Sequence, residues 1–319
     1  MLLFCSIRVH AQDPHFSQFH ANPMYLNPSY TGANFCPRVI MNYRNQWPAL
    51  AGDYVTYNTS LDFGLNEIHG GLGLIVLHDR QGWGALNTNK ISLLYAYHAK
   101  LSGTTTLSGG FQFSYFEREL DPNQNFGDEI DPQLGFIYES FDPFANPEYL
   151  KVNFTDLSLG ILLNTQKYFV GLALHHFTEP SYAFFDEDNL GKLPMKITVH
   201  GGSRVVVEDL GYFNSSFLKK FSVLTPHILF QKQAESEQIN LGATLSSDHL
   251  GLGLSYRRGF NNSDALIILF GYELEKYKIG YSYDLTVSKL GVPSGGSHEI
   301  SLQIQLGCFY KKPAQNTIP

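Results

Sequence analysis

A period-two alternation of apolar and polar residues dominates this sequence. Residues 277–284 read YKIGYSYD, with an apolar or aromatic side chain at every odd position, and residues 238–245 and 300–307 alternate in the same way. Side chains of a β-strand point alternately to its two faces, so each segment predicts a strand with one apolar face. A soluble β-sandwich also alternates, and the periodicity alone does not separate it from a membrane barrel.

The number and length of the candidate strands favour the barrel. Most are roughly 9 to 12 residues long, close to the ~9 to 11 of a tilted strand that crosses a bilayer and longer than the ~5 to 6 of globular strands. Their number is even, as in bacterial outer-membrane barrels. The fourteen segments are 38–46, 54–62, 70–78, 89–100, 106–118, 154–164, 167–176, 196–207, 220–231, 237–246, 249–257, 265–274, 276–285 and 298–307.

The connections between these strands sort into two classes. Long links at 119–153, 177–195 and 286–297 fall on one side, and tight links at 164–166, 247–248 and 275 fall on the other. Outer-membrane barrels have this asymmetry, with long loops outside and short turns in the periplasm. The segment 208–219 is an exception, because it is long for a periplasmic turn. The link 119–153 is acidic and rich in X-Pro steps, and we interpret it as an external lid or as a mobile loop without a special role.

Composition agrees with an all-β, antiparallel transmembrane barrel of about 14 strands over residues 36–308. Charged residues make up only 16% of the 319-residue chain, and aromatic residues make up 14%. The net charge of −7 weighs against a nucleic-acid partner. No run of 18 apolar residues offers a transmembrane helix, so insertion in a lipid bilayer requires a barrel. Residues 1–11 predict a signal peptide with a truncated start, and residues 309–319 are expected to be a C-terminal tail.

Two further motifs are more specific than composition. Residues 22–32 read NPMYLNPSYTG, a doubled Asn-Pro-x-Tyr unit, and residues 43–48 read YRNQWP. With 175–180, 196–202, 280–284 and 298–302, these motifs resemble the PorP/SprF family of Bacteroidetes outer-membrane proteins, linked to the type IX secretion system and gliding motility. The resemblance covers nearly the whole mature chain in the family's order.

The resemblance implies an integral outer-membrane protein that helps to secrete or anchor particular proteins. Its implied partners are proteins of the type IX secretion machinery and a secreted surface protein such as a gliding adhesin. The alternative is a channel for a small polar or hydrophobic solute, and a Ser-His phospholipase is a third possibility. We expect no enzymatic activity and no cofactor.

The doubled motif predicts an irregular segment over residues 12–35. Proline lacks the amide donor of a ladder and restricts the residue before it, so the stretch cannot be a strand. We expect it under or inside the barrel mouth on the periplasmic side, either as a plug that fills the lumen or as a surface that docks a partner. The candidate residues are Asn22, Pro23, Tyr25, Asn27, Pro28, Tyr30 and Gly32.

The YRNQWP stretch ends the first strand. Arg44 and Gln46 share a face, which we expect to be the lumen, where a buried cation needs carboxylates. Candidates for that role are Asp79, Asp284 and Glu299. The other members of the motif are Asn45, Trp47 and Pro48, and Trp47 and Trp83 are expected at the membrane interface. Lumen packing with an aromatic belt is the preferred interpretation over ligand binding.

The chain offers little evidence for catalysis or metal binding. His175 and His176 are adjacent, so on a strand they would point to opposite faces. The sequence contains neither a complete HExxH site at His298 nor a G-x-S-x-G elbow at Ser203 or Ser297. The glycines of 70–73 are interpreted as aids to barrel curvature. Closure would make the first and last strands neighbours, which predicts a disulfide between Cys36 and Cys308 across the seam; two free thiols are the alternative.

Overall fold

A computed structural model describes residues 13–50, 52–82, 84–121, 127–131, 133, 135–136, 140–141, 150–184, 191–207, 222–259, 264–287 and 292–308. The expected signal peptide 1–11, the tail 309–319, Trp83, the exceptional segment 208–219 and most of the long link 119–153 lie outside this set.

Fourteen antiparallel strands form one sheet around the molecule, and we number them in chain order. They are β1 (Arg38–Gln46), β2 (Tyr54–Leu65), β3 (Gly70–Gln81), β4 (Leu86–Lys100), β5 (Thr105–Leu120), β6 (Lys151–Thr165), β7 (Tyr168–His175), β8 (Lys196–Ser203), β9 (Val223–Gln233), β10 (Ser236–Ser246), β11 (Leu250–Gly259), β12 (Ala265–Glu273), β13 (Tyr277–Thr286) and β14 (Ser297–Gln305).

The sheet closes on itself. Each strand pairs with its neighbours in sequence, and β1 pairs with β14 from Arg38 opposite Gln305 to Gln46 opposite Ser297. This ring has no free edge, and it confirms the predicted barrel. A two-residue strand, Val205–Val206, pairs with β9 beside the ring, and a small hairpin pairs Ile130–Asp131 with Gly135–Phe136.

Several strands are longer than the alternation predicts. β5 runs to Leu120 and β4 begins at Leu86, because polar side chains continue the ladder beyond the apolar band. Lys151 Nζ, for example, lies 2.7 Å from a carboxylate oxygen of Glu117 on the neighbouring strand. β8 is shorter than predicted and ends at Ser203.

The two faces of the sheet invert the arrangement of a soluble protein. On β4 the outward side chains of Ile91 and Leu93 are 52% and 61% exposed, whereas the inward Ser92 and Ala96 are fully buried. An apolar outer face and a polar lumen are the pattern of a barrel whose outside is covered by lipid. No helix in the described ranges is long and apolar enough to cross a bilayer.

The two rims of the barrel differ. Short turns at 66–69, 101–104, 166–167, 247–249 and 274–276 lie at the rim where β1 begins, which we call the disulfide end because it carries Cys36 and Cys308. The links after β5, β7 and β13 lie at the opposite rim, which we call the loop end. The long links after β5, β7 and β13 lie at one rim as predicted, but the short connections 82–85 and 234–235 lie at that same rim.

Candidate functional site

Residues 13–35 form an irregular segment inside the barrel, and we call it the lumen segment. Its three single turns of helix span Phe19–Ala21, Pro23–Leu26 and Pro28–Tyr30. Two of them start at proline, whose missing amide donor costs nothing at a first helical position. Asn27 caps the third turn by accepting a hydrogen bond of 2.9 Å from the backbone N–H of Ser29.

The lumen segment runs through the full height of the barrel. Asp13 lies at the loop end, where one carboxylate oxygen is 2.8 Å from Nε2 of His176 and 3.4 Å from Nζ of Lys196. Gly32 lies at the disulfide end and donates its backbone N–H to Asp62 at 2.8 Å. The sequence places this segment under or inside the periplasmic mouth, and the structure extends it further, because its contacts reach the opposite rim.

Lumen-facing glycines make room for this passage. A Cβ at Gly110 would stand 2.7 Å from the Cα of Ser29, and one at Gly73 would stand 2.9 Å from Cγ2 of Thr31. A Cβ at Gly71 would stand 2.8 Å from the backbone nitrogen of Gly32. These glycines permit close backbone approach, so the interpretation of 70–73 as an aid to curvature missed their main contact.

A buried ionic cluster holds the part of the lumen segment around Ser17 and Gln18. Arg44 is 2% exposed and donates to Asp284 at 2.9 Å and to Glu299 at 3.1 Å. Arg257 donates to the same Asp284 oxygen at 2.9 Å, and both arginines donate to the hydroxyl of Ser17. Two cations and two anions thus surround one serine of the lumen segment, and each charge has a partner of opposite sign, without which burial would be costly.

The ionic cluster also fixes the segment's backbone. Glu299 accepts hydrogen bonds from the backbone N–H groups of Ser17 at 2.7 Å and Gln18 at 3.1 Å. Of the three carboxylates predicted for Arg44, Asp284 and Glu299 are its partners. Asp79 is not, because it accepts instead from Thr56 and Gln81, each at 2.7 Å.

The two asparagines of the doubled motif bind different strands. Asn22 Oδ1 accepts a hydrogen bond of 3.0 Å from Asn58 on β2. Asn27 Nδ2 donates to the backbone carbonyls of Ile161 on β6 and Leu172 on β7, at 3.1 and 3.2 Å. The Asn-Pro steps therefore attach the segment to opposite parts of the wall.

The tyrosines of the motif pack within the lumen. Tyr25 donates its hydroxyl to the carbonyl of Pro14, and the ring of Tyr30 stacks on His200 at 5.6 Å between centroids. At the disulfide end, Arg38 and Asp62 form a buried pair at 2.7 Å beside Gly32.

The residues of the YRNQWP stretch, at the loop end of β1, lie in different surroundings. Arg44 and Gln46 face inward, and Gln46 accepts from Arg44 at 3.4 Å. Asn45 pairs across the ladders with Val55 and His298. Trp47 leaves the strand with a positive φ of 57° and packs edge-on against Tyr54, and Pro48 is exposed in the same turn. The structure does not place Trp47 and Pro48 beside the buried ionic cluster of Arg44.

His175 and His176 both point into the barrel. The expected opposite orientation is wrong because His176 lies beyond β7 with a positive φ of 56°, which turns its side chain inward. His176 lies between Asp13 and Asp156, the latter at 3.0 Å. Burial alone would lower the pKa of His176, but these carboxylates hold that pKa above its ordinary value. Among the described residues, no three His, Cys, Asp or Glu side chains are arranged so that they could hold a metal ion.

Two of the three cysteines in the sequence join across the seam. Cys36 precedes β1, Cys308 follows β14, and their Cα atoms lie 4.6 Å apart in a disulfide that spans 272 residues of sequence. Sequence reasoning missed Ser17, Gln18 and Arg257, because nothing in their local pattern signals contact with a distant ionic cluster.

Comparisons with known proteins agree with this architecture. Residues 9–304 match the family model described as type IX secretion system membrane protein PorP/SprF. No curated protein shows a significant match to the sequence.

Among solved structures, the chain is similar to the CymD monoaromatic hydrocarbon channel, with 12% identity, coverage of 91% of this chain and 94% of that chain, and a TM-score of 0.50. It is also similar to a Pseudomonas aeruginosa FadL homologue, with 11% identity, 88% and 93% coverage, and a TM-score of 0.46. At such low identity the likeness to CymD supports the barrel fold alone.

Proposed function

Because this chain belongs to the PorP/SprF family of type IX secretion system membrane proteins, we propose that it is an accessory barrel that supports the secretion or surface anchoring of specific secreted proteins. Gliding adhesins are the kind of cargo that the family resemblance suggests. Proteins of the secretion machinery and one secreted surface protein would be its partners, and the role includes no enzymatic step.

The observation that carries this proposal is the occupied lumen. The lumen segment touches strands on all sides of the barrel, from Asn58 on β2 to Leu172 on β7 and Glu299 on β14. Met24 and Asn27, in the middle of the passage, are fully buried. For a solute to pass through the barrel, the lumen segment would have to leave the lumen. The hydrogen bonds between this segment and the buried ionic cluster would then have to break.

The filled lumen also gives the barrel a rigid support for protein contacts. The ionic cluster ties the lumen segment to β1, β11, β13 and β14, and the seam carries a disulfide. Rigid scaffolds position the loops that bind partners. The rims of the barrel are therefore the surfaces that we propose for cargo and for the secretion machinery.

Affinity purification from gently solubilised outer membranes tests the proposal. We expect secretion-machinery proteins and one secreted protein to co-purify with the wild-type barrel. Deleting the gene should remove that secreted protein from the cell surface while other exported proteins remain. Unchanged surface proteins together with a defect in solute uptake would contradict the accessory role.

Conductance measurements distinguish the accessory role from the alternative function, a channel for a small solute. In planar bilayers, the purified wild-type protein should show no stable conductance steps, because the lumen segment blocks the passage. Solute-dependent conductance of the wild-type protein would favour a transport channel instead.

A further inference from the structure

A pocket beside the lumen segment, near the loop end, holds a cation without an ionic partner among the described residues. Lys90 lies on β4, faces inward and is 6% exposed. Its Nζ lies 5.1 Å from the ring centroid of Phe116 and 5.6 Å from that of Tyr25. These are cation–π distances. Apart from these ring contacts, Lys90 Nζ forms no hydrogen bond and no ion pair with a residue that the structure describes, although an ammonium group has three donors.

The carboxylates that share this pocket already have closer partners. Asp79 accepts from Thr56 and Gln81, each at 2.7 Å. Asp13 binds His176 at 2.8 Å and Lys196 at 3.4 Å. Neither forms an ion pair with Lys90.

The rest of the pocket wall is mostly apolar and aromatic. Phe116 stacks on Phe154 with centroids 4.8 Å apart, and Leu77 and Leu193 add aliphatic surface. Arg118, which is 8% exposed, brings a second cation to the rim of the pocket. Buried side chains of this kind are well suited to an anion with an apolar body.

We propose that this pocket binds a small amphipathic monocarboxylate, whose carboxylate meets Lys90 and whose aromatic or aliphatic body packs against Phe116 and Phe154. A single negative charge fits better than a dianion, because Asp13 and Asp79 line the same pocket and repel additional charge. The inference concerns a binding site and does not depend on the proposed secretion role.

Calorimetry with purified, detergent-solubilised protein tests the site, with phenylacetate as the probe and empty micelles as the blank. We expect phenylacetate to bind, and the neutral 2-phenylethanol and the dianionic phenylphosphonate to bind at least about tenfold more weakly. Replacing Lys90 with methionine keeps the side-chain length but removes the charge, and should weaken phenylacetate binding roughly tenfold or more.

Lys278→Met is the matched control. It removes the same charge at the disulfide end, from a side chain that is 48% exposed, and should change the affinity less than about twofold. Thr88→Phe fills the pocket without altering Lys90 and should abolish binding even if Lys90→Met fails to fold. Heat modifiability in gels shows which variants form the barrel. Equal binding of the neutral probe, no binding of phenylacetate, or full affinity in folded Lys90→Met would each overturn the proposal.

Discussion

Replacing Gly110 with alanine should loosen the lumen segment, whereas the same change at the adjacent Gly109 should not. A Cβ at position 110 would lie 2.7 Å from the Cα of Ser29 and closer still to neighbouring backbone atoms. Ordinary carbon contacts are ~3.5 to 4.0 Å, so the segment must move by about 1 Å. A Cβ at position 109 meets nothing within 4 Å.

The displacement has a cost that can be worked out from neighbouring contacts. Asn27 donates to Ile161 and Leu172 at 3.1 and 3.2 Å, and a shift of this size would break both hydrogen bonds. Each hydrogen bond contributes about 0.5 to 1.5 kcal/mol to the free energy of unfolding. Overpacking around the new methyl group costs about 1 to 3 kcal/mol more. We expect Gly110→Ala to lower the free energy of unfolding by about 2 to 6 kcal/mol.

Urea unfolding in lipid vesicles measures this difference, and limited proteolysis reports whether residues 13–35 become accessible. Gly109→Ala should unfold like the wild type and keep the segment protected. If Gly110→Ala and Gly109→Ala share one midpoint and one protection pattern, the packing of the lumen segment against β5 is not as described.

The remaining predictions concern charge, the seam and the direction of threading. Arg44→Met should lower the free energy of unfolding by about 3 to 5 kcal/mol, because Glu299 loses its only ionic partner among the described residues. A midpoint of urea unfolding equal to that of Lys278→Met would refute this. Alkylation before lysis should find no free thiol at Cys36 or Cys308, and two reactive thiols in the native protein would contradict this. Cys308→Ser should lower the free energy of unfolding by up to about 5 to 6 kcal/mol in a chain-entropy model. A short epitope placed immediately before Asp13 should be labelled on intact cells, unlike an epitope after Cys308, because Asp13 lies at the loop end; the reverse labelling would contradict the threading.

The strands of the barrel wall were predictable because the polarity of each side chain indicates which face of the strand it lies on. The alternation in 277–284 identified β13 directly, and the sorting of loops indicated the closed topology. Strand ends were less accurate, as at Leu120, because polar residues beyond the apolar band still pair.

The contents of the lumen were only partly predictable. Proline excluded a strand for the doubled Asn-Pro-x-Tyr motif, but proline does not say how deep a segment enters. That depth depends on Ser17 reaching Asp284 and on Gly110 leaving room for Ser29, contacts between residues far apart in sequence. The pairing of Arg44 with Asp284 and Glu299, but not Asp79, likewise depends on strand order around the ring.

Disulfide trapping within the lumen tests most directly whether the N-terminal segment fills the barrel. A cysteine at Thr31 and another at Gly73 should cross-link in native outer membranes, because Cγ2 of Thr31 lies 2.9 Å from the Cβ position of residue 73. Thr31→Cys paired with Gly109→Cys should not cross-link, since residue 109 faces away from the lumen. Efficient formation of the first bond alone is the expected result. Free, alkylatable cysteines at both 31 and 73 in folded protein would show that the segment lies elsewhere.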